Sequence, residues 1–313
     1  MRLIRTAAGF PFARVERGSV ATIGSYDGLH LGHRKLLDTV LGLAKNADLP
    51  SIIMSFEPTP GEFFAAGRPP ARLMRFREKF DALATAGVDV FFCPRFDAQM
   101  RGMAPDAFIR RLLIHAMNIR HLVIGDDFRF AERRQGTVDQ LRRAGRALGF
   151  EVHQQPSVIL DGERVSSTAI REVLWRGEVG RATRLLGRHY GMSGKVVRGD
   201  NLGRKLGFPT ANVDLRRRQS PVMGIFAARV RGLGEAPLNA VASVGTRPTF
   251  GGTKPLLEVH IFDFDEQIYG RYIHVDFIAR LRNEEKFEDE QALIEQMHRD
   301  AQRARELLSE EEH

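Results

Sequence analysis

The chain has 313 residues, of which 43% are hydrophobic, so two domains can each bury a core of ordinary size. Its net charge of +8 comes from short, dispersed basic clusters, which suit a phosphorylated small molecule as well as nucleic acid. The single cysteine, Cys93, excludes an intramolecular disulfide and a cysteine-rich zinc site and fits a reducing compartment.

The chain shows no targeting or membrane segment. The first residues carry scattered arginines and lack an apolar run long enough for a signal peptide, and no later stretch approaches the length of a membrane span. We therefore expect a cytoplasmic protein with no membrane partner.

Up to about residue 160, short apolar runs alternate with amphipathic stretches. Hydrophobic spacing predicts helices just after residue 33 and over 72–86, 106–118 and 137–148, and strands over 51–56, 88–92, 121–124 and 150–154. Strands that alternate with helices predict an α/β, Rossmann-like domain with a parallel sheet, whose ligands bind at the carboxyl ends of the strands.

From about residue 187 the pattern changes to short β segments separated by Gly, Pro and Asn. The segments 194–198, 224–231, 239–245, 256–263 and 272–279 predict a small antiparallel β-barrel, and the charged tail 284–308 predicts a C-terminal helix that packs on it. The sequence thus predicts two domains, 1–186 and 187–313.

The stretch GSYDGLHLGH, residues 24–33, places His30 and His33 at or just before a helix N-terminus. Glycines at 24, 28 and 32 let the backbone approach a phosphate, and two imidazoles there can donate hydrogen bonds to phosphate oxygens. One alternative is a helix cap or an ordinary satisfied polar residue. The other is a zinc site, which needs a further ligand that neither an HExxH pattern nor a second cysteine supplies.

Two further stretches carry polar residues beside predicted elements. In RVSSTAIREVL the hydroxyl residues precede a helix, where they either cap it or form a phosphate cradle with Arg164 and Arg171. In GDDFRF a carboxylate such as Asp127 follows a strand and can hold a ribose hydroxyl or a metal.

The second half carries its own candidate site. In GKVVRGDNLGRKLGFPTANV, a glycine-rich loop containing Arg204 and Lys205 can close over a triphosphate. Thr210 and Asn212 offer hard oxygen ligands of the kind that Mg²⁺ binds together with phosphates, although a turn followed by a solvent-facing strand explains the same residues. Glu258, in LLEVHIFDF, either faces solvent or accepts the proton of an attacking hydroxyl.

These motifs, in this order, resemble a known family. HLGH resembles the HxGH signature of the nucleotidyltransferase superfamily, and GSYDGLHLGH, GDDFRF and VSSTAIR together look like the adenylyltransferase half of the bacterial bifunctional riboflavin kinase/FMN adenylyltransferases, also called FAD synthetases. GRKLGFPTAN, VGTRPTF, LEVHIFDF, YGRYIHVDF and LRNEEKF look like the riboflavin kinase half. The family usually has Asn-Phe where Ser25-Tyr26 stand and Gly where Ala131 stands.

The resemblance implies a nucleotidyltransferase-like domain followed by a riboflavin kinase barrel. It implies that the chain phosphorylates riboflavin to FMN and adenylylates FMN to FAD, with Mg²⁺ and ATP. The implied catalytic residues are His30, His33, Arg171 and Glu258, the implied metal ligands are Thr210 and Asn212, and the implied ATP- or flavin-binding residues are Gly24, Asp27, Gly32, Asp127, Arg164, Ser166, Ser167, Thr168, Gly203 and Gly207.

Two other classes of function compete with this interpretation. A sequence pI of about 10.0 suggests a nucleic-acid-binding protein, but that class predicts a basic face interleaved with aromatic residues, whereas these arginines are dispersed. A flavin sensor that binds without turnover is expected to lack Glu258 or the histidines, and the chain has all of them. We therefore expect ATP and flavins, and no nucleic acid, as partners.

Overall fold

A computed structural model describes residues 1–7, 15–65, 67, 69–199, 203, 206–249 and 252–311. The chain divides into two compact units. The first comprises Met1–Pro70 with Phe76–Val165, and the second comprises Ala71–Arg75 with Ser166–His313. Arg204 and Lys205, which the sequence places in a phosphate-binding loop, lie outside the described residues.

The first unit is built on a six-stranded sheet in which every pair is parallel. Its strands are β1 (Arg2–Ile4), β2 (Ser19–Ile23), β3 (Ser51–Met54), β4 (Val90–Phe92), β5 (Ile119–Gly125) and β6 (Glu151–Gln155), in the order β1-β4-β3-β2-β5-β6. Strands β2, β3 and β4 are buried along their whole length, as expected when helices cover both faces of a parallel sheet. The predicted α/β class is confirmed.

The strand order reverses between β2 and β5. From β2 the chain goes to β3 and β4 on one side, and it later enters β5 and β6 on the other. Open α/β sheets bind their ligands outside the carboxyl ends of the strands at such a switch point. The GSYDGLHLGH turn follows β2 and Asp126-Asp127 follow β5, so both motifs leave the sheet at this point.

The helices of the first unit are α1 (Leu31–Ala47), α2 (Pro60–Phe64), α3 (Phe76–Thr85), α4 (Ala98–Arg101), α5 (Pro105–Phe108) and α6 (Val138–Leu148). A π-helix, Ile109–Ala116, continues directly from α5, and a 3₁₀ turn spans Glu132–Arg134. The predicted helix 106–118 is therefore a short α-helix and a π-helix, a distinction that hydrophobic spacing does not make. A small hairpin, β7 (Ile159–Leu160) with β8 (Glu163–Arg164), completes the unit.

The second unit contains a closed antiparallel barrel in the order β10-β13-β12-β11-β14-β9. Its strands are β9 (Tyr190–Val197), β10 (Ala211–Asp214), β11 (Gly224–Arg231), β12 (Leu238–Thr249), β13 (Gly252–Ile261) and β14 (Tyr272–Arg282). Pairing of β9 with β10 closes the ring, so the barrel leaves no open edge for another chain. The predicted barrel is confirmed.

Within the part of the chain that the structure describes, three helices accompany the barrel: α7 (Ser167–Trp175), α8 (Val179–Leu186) and α9 (Glu290–Glu310). Helix α9 confirms the predicted C-terminal helix, although it begins six residues later than 284, at Glu290. Its Ala304 and Leu308 pack with Ala227 and Phe262 of the barrel. No helix among the described residues is long and apolar enough to cross a bilayer.

Residues 71–75 belong to the second unit although they lie early in the chain. The buried Arg217 guanidinium donates to the carbonyl oxygens of Arg72 and Leu73, and the Tyr190 hydroxyl donates to the same Leu73 oxygen at 3.2 Å. The helix predicted over 72–86 therefore starts only at Phe76. The units separate between Val165 and Ser166, whereas the change in sequence pattern falls near residue 187, because α8 packs on β9 and β14.

Asp276 is the centre of a polar network on the barrel. Arg231 donates to both of its carboxylate oxygens at 2.7 and 2.9 Å, and His274 lies 3.0 Å away with its other ring nitrogen 2.7 Å from Ser193 Oγ. Burial acts to raise the pKa of Asp276, but the bonds to His274 and Arg231 outweigh it and hold the pKa below its usual value.

We predict that Asp276→Asn lowers the free energy of unfolding at neutral pH by about 2 kcal/mol, because a buried charge-assisted pair loses its acceptor. A carboxyl with a depressed pKa stabilises above its unfolded pKa, so the difference should shrink as the pH falls through the pKa of Asp276 in the folded protein. Urea denaturation at several pH values measures it. Asp263→Asn is the matched control, since Asp263 pairs with Arg305 at the surface and should cost under about 1 kcal/mol. Equal losses in the two variants would contradict the prediction.

Candidate active sites

The turn between β2 and α1 is tight and partly left-handed. Tyr26 and Leu29 have φ of 48° and 43°, and Gly28 has φ of 89°. A Cβ on Gly32 would lie 3.2 Å from the His30 ring, closer than side chains normally approach. The turn therefore brings the backbone and both histidines into a small space at the helix N-terminus.

His30 is the N-cap of α1. The backbone N–H of His33 donates to His30 Nδ1 at 3.3 Å, and the two imidazoles stack with their centroids 3.7 Å apart. The capping interpretation is thus correct for Nδ1. Because Nδ1 accepts, a neutral His30 carries its proton on Nε2, which makes Nε2 a donor at the end of a helix where anions are favoured.

His33 carries a buried ring nitrogen, Nδ1, that has no hydrogen-bond partner among the described residues. Burial lowers the pKa of His33 well below its ordinary value, and the charges of His30 and Lys79 lower it further, so the ring is neutral at pH 7. Buried polar atoms nearly always have partners, so Nδ1 of His33 is available to a group that binds at this turn. The helix N-terminus favours an anion in that place.

Tyr26 forms one wall of this arrangement. Its ring centroid lies 4.9 Å from that of His33, and its hydroxyl is 2.6 Å from Thr22 Oγ1. Burial raises the pKa of Tyr26, so the side chain stays a neutral phenol. The Tyr26 hydroxyl, which the Phe usual at this position in the family would lack, therefore has Thr22 as its hydrogen-bond partner.

Lys79 is a site residue that the sequence analysis missed. It lies on α3 with only 5% of its surface exposed, and its Nζ donates to the carbonyl oxygen of Ser25, which also accepts from Ser55 Oγ at 3.3 Å. Lys79 and Leu83, four residues apart, both lie on the buried face of α3. A lysine at a position that helical spacing assigns to the apolar face is the sequence pattern that could have indicated this residue. Lys79 fixes the turn and places a positive charge beside the histidines.

The structure brings Asp127 and Arg164 together in the first unit. Arg164 Nη2 lies 2.8 Å from Asp127 Oδ2, while Asp126 accepts from the backbone and hydroxyl of Ser157 at 2.9 and 2.7 Å. The bonds from Ser157 lower the pKa of Asp126. The sequence analysis assigned Asp127 and Arg164 to separate motifs. Their ion pair connects the loop after β5 to the β7–β8 hairpin.

From Ser166 onward, the VSSTAIR motif lies in the second unit. Ser166 Oγ accepts from the backbone N–H of Ala169 at 3.2 Å, so Ser166 is the N-cap of α7. Arg171 Nε donates to the carbonyl oxygen of Ala71 at 2.7 Å. Capping therefore accounts for Ser166, and Ser167 and Thr168 occupy the first turn of the helix.

The second candidate site begins at the loop before β10. The Gly203 carbonyl accepts from the backbone N–H groups of Leu206 and Phe208 at 3.1 and 2.8 Å, and Gly207 has φ of 82°. A Cβ on Gly203 would collide with the Phe208 carbonyl and lie 3.1 Å from Thr210 Oγ1. Glycine is therefore required where this backbone meets Thr210.

Glu258 stands next to Asn212 in the barrel. The two are directly opposite in the β10–β13 pair, and Ser243 of β12 is opposite Glu258 on its other side. Residues opposite each other share a face with Cβ atoms about 5 Å apart. Leu257 and Val259 are fully buried, so this row of polar residues lies on the outer face of the barrel. The register thus unites two residues that are 46 positions apart in sequence.

A second carboxyl lies close to this row. A Cβ on Gly245 would collide with the Glu284 carboxylate, so the carboxylate rests directly on the β12 backbone. Burial raises the pKa of Glu284, and Arg282 only partly offsets the shift. Glu284 belongs to the LRNEEKF motif but was not singled out as a site residue.

Comparison with known proteins decides the family. The FAD synthetase family model matches residues 13–169, and the riboflavin kinase family model matches residues 186–308. A bifunctional riboflavin kinase/FMN adenylyltransferase of Escherichia coli K12 is 44% identical over 98% of both chains. The chain belongs to the bifunctional riboflavin kinase/FMN adenylyltransferase family.

Other similar proteins also match over nearly the whole chain. The protein of the same name from Pseudomonas fluorescens is 40% identical over 95% of both chains. A crystal structure described as a macrolide-efflux protein from Streptococcus pneumoniae superimposes with a TM-score of 0.84 and 29% identity, covering 97% of this chain and 98% of that one. The family therefore accounts for both units of the fold.

We predict that Lys79→Met raises the pKa of His33, because the positive charge of Lys79 is one of the causes that lower it. The shift should be partial, since burial is the larger cause and remains. Titration of the His33 ring by NMR measures the change. Lys45→Met, at the exposed C-terminal end of α1, is the control and should leave the His33 titration where it is. An unchanged pKa in Lys79→Met would contradict the electrostatic contact.

Proposed function

We propose that this flavin-cofactor biosynthesis enzyme uses a separate phosphate-binding arrangement for each of its two reactions. Riboflavin and ATP give FMN and ADP in the C-terminal domain, 187–313, and FMN and a second ATP give FAD and pyrophosphate in the N-terminal domain, 1–186. The observation that carries the proposal is the orphaned His33 nitrogen at the N-terminus of α1. On the barrel it is supported by the close approach of Gly203 to Thr210 and by the pairing of Asn212 with Glu258.

In the adenylyl transfer, a phosphate oxygen of FMN attacks the α-phosphorus of ATP. The bond from that phosphorus to the bridging oxygen of the β-phosphate breaks, and pyrophosphate leaves with the electron pair. No proton has to move, so neutral histidines suffice as donors. His30 Nε2, His33 and the first N–H groups of α1 stabilise the negative charge that grows on the phosphate oxygens.

In the kinase reaction, the 5′-hydroxyl of the ribityl chain attacks the γ-phosphorus of ATP and ADP leaves. Glu258 accepts the hydroxyl proton. Thr210 Oγ1 lies 3.1 Å from where a Cβ on Gly203 would stand, and Asn212 Oδ1 lies 2.8 Å from where a Cβ on Gly199 would stand. Both are hard oxygen donors next to glycine backbone, and such donors fit Mg²⁺. When bound, Mg²⁺ neutralises charge on the ATP phosphates.

Other assignments rest on the family resemblance and remain part of the proposal. Gly24, Asp27 and Gly32 line the nucleotide end of α1, and Ser167, Thr168 and Arg171 contact phosphate. Asp127, Arg164 and Ser166 bind ATP or the flavin, and Gly203 and Gly207 belong to the kinase phosphate loop. The division into functional domains 1–186 and 187–313 is proposed from the change in sequence pattern near residue 187. A cytoplasmic location is proposed from the single cysteine and the apolar pattern of the sequence, and the lack of a nucleic-acid partner from the dispersed arginines.

We predict that His33→Ala reduces FAD formation from supplied FMN by about 10²- to 10³-fold, the usual cost of losing one donor to a developing negative charge. FMN formation from riboflavin should continue, so FMN accumulates. Chromatography of the flavins measures both rates. His115→Ala, on the exposed face of the π-helix, is the control and should keep both activities. FAD formation at the parent rate would show that His33 is only structural.

We predict the reverse pattern for Glu258→Gln, which keeps the shape of the side chain but removes the base. FMN formation should fall by at least about 10²-fold, while FAD formation from supplied FMN is unchanged. Glu284→Gln tests the neighbouring carboxyl in the same assay and should retain most kinase activity. A large loss in Glu284→Gln with little loss in Glu258→Gln would transfer the proton-accepting role to Glu284.

A further inference from the structure

Three potential metal ligands lie together on the first unit, away from the ATP-binding turn. His121 is on β5, and Glu151 and His153 are on the adjacent edge strand β6. His121 and Glu151 are paired in the register, and His153 is two residues beyond Glu151, so all three share one face of the sheet. They lie toward the amino ends of these strands, whereas the GSYDGLHLGH turn lies at the carboxyl ends.

The ligand atoms are almost equally spaced. His121 Nδ1 lies 3.2 Å from His153 Nε2, and Glu151 Oε2 lies 3.5 Å from the first of these nitrogens and 3.6 Å from the second. Bonds from Zn²⁺ to nitrogen and oxygen are about 2.0–2.2 Å long, which places adjacent ligands of a tetrahedral ion about 3.3–3.6 Å apart. One ion fits between the three atoms with almost no movement of the strands.

A hydrogen bond between the two imidazoles explains only one side of this triangle. The carboxylate oxygen lies beyond the usual hydrogen-bond distance of about 2.9 Å from either ring. It nevertheless sits at nearly the same distance from both ring nitrogens. The three ligand atoms therefore form a nearly equilateral triangle whose sides match the spacing of ligands around one tetrahedral ion.

We propose that His121, Glu151 and His153 form a three-ligand site for a divalent transition metal, with Zn²⁺ as the best match. Two imidazoles and one carboxylate suit Zn²⁺ and its neighbours, whereas Mg²⁺ and Ca²⁺ require mostly oxygen ligands. The site is distinct from the Mg²⁺–ATP ligands Thr210 and Asn212 on the barrel.

The surroundings of the three ligands leave room for a further ligand. All three border a hollow of about 910 Å³ that Arg120, Arg142 and Arg146 also line. These arginines repel a cation, so charge attraction alone would not hold a metal ion here. The affinity must come from coordinate bonds to the imidazole nitrogens. The same charges favour a small anion as the fourth ligand of the metal.

The test is a zinc titration of the full chain after removal of metals with a chelator, in buffer without ATP. Competition against a chromophoric zinc chelator should reveal one tight site per chain. Removing a residue that only hydrogen-bonds to a zinc ligand lowers zinc affinity by about 10- to 100-fold. Removing a ligand itself should cost more, so His121→Ala and His153→Ala should each lower zinc affinity by at least about 100-fold. Glu151→Gln should weaken it in the same direction, and circular dichroism of each variant confirms that it is folded.

Two controls separate this site from other histidines. His115→Ala removes an exposed imidazole, and His33→Ala removes one of the stacked pair; both should bind zinc as the parent does. Co²⁺ bound in place of zinc should show the strong visible absorption of a four-coordinate ion. Absence of tight zinc binding, or retention of it in folded His121→Ala and His153→Ala, would overturn the proposal. Loss of binding in His33→Ala alone would also overturn it, by placing the metal at the helix N-terminus.

Discussion

Parallel pairing of β2 with β5, at the point where the strand order reverses, determines where the first unit can bind a nucleotide. Helices that leave the two strands in opposite directions open a crevice at their carboxyl ends. The glycine turn, which joins β2 to α1, therefore lies at this crevice. Asp126 and Asp127, which follow the neighbouring strand β5, lie beside it. β2 is buried along its whole length and β5 is buried over Leu122, Val123 and Ile124, which prevents a register slip that would turn the motifs away from each other.

In the adenylyl transfer that we propose, His30 has a structural role and a chemical role together. His30 caps α1 through Nδ1, which leaves the proton on Nε2, and its stacked position fixes the His33 ring. Burial keeps His33 neutral and leaves Nδ1 without a partner in the part of the chain that the structure describes. Capping and phosphate binding are therefore compatible interpretations, because the two roles use different nitrogen atoms.

The sequence predicted most of the architecture because its signals are local. Periodicity is enough for β3 to β6, for five of the six barrel strands and for the C-terminal helix, but it did not predict β1 (Arg2–Ile4). It missed contacts between distant segments: the attachment of 71–75 through Arg217, the buried Lys79 and the pairing of Asp127 with Arg164. Ala131 adopts φ of 65°, a conformation that favours glycine, which accounts for the Gly usual in the family and shows that this chain accepts strain there.

The central claim is that one chain performs two phosphate chemistries with two separate sets of residues. The most direct test follows riboflavin, FMN, FAD and pyrophosphate over time after purified protein is mixed with riboflavin and Mg²⁺–ATP. We expect FMN to appear before FAD, with one pyrophosphate released for each FAD formed and none for FMN. Riboflavin that stays unconverted, or pyrophosphate that accumulates without FAD, would contradict the account.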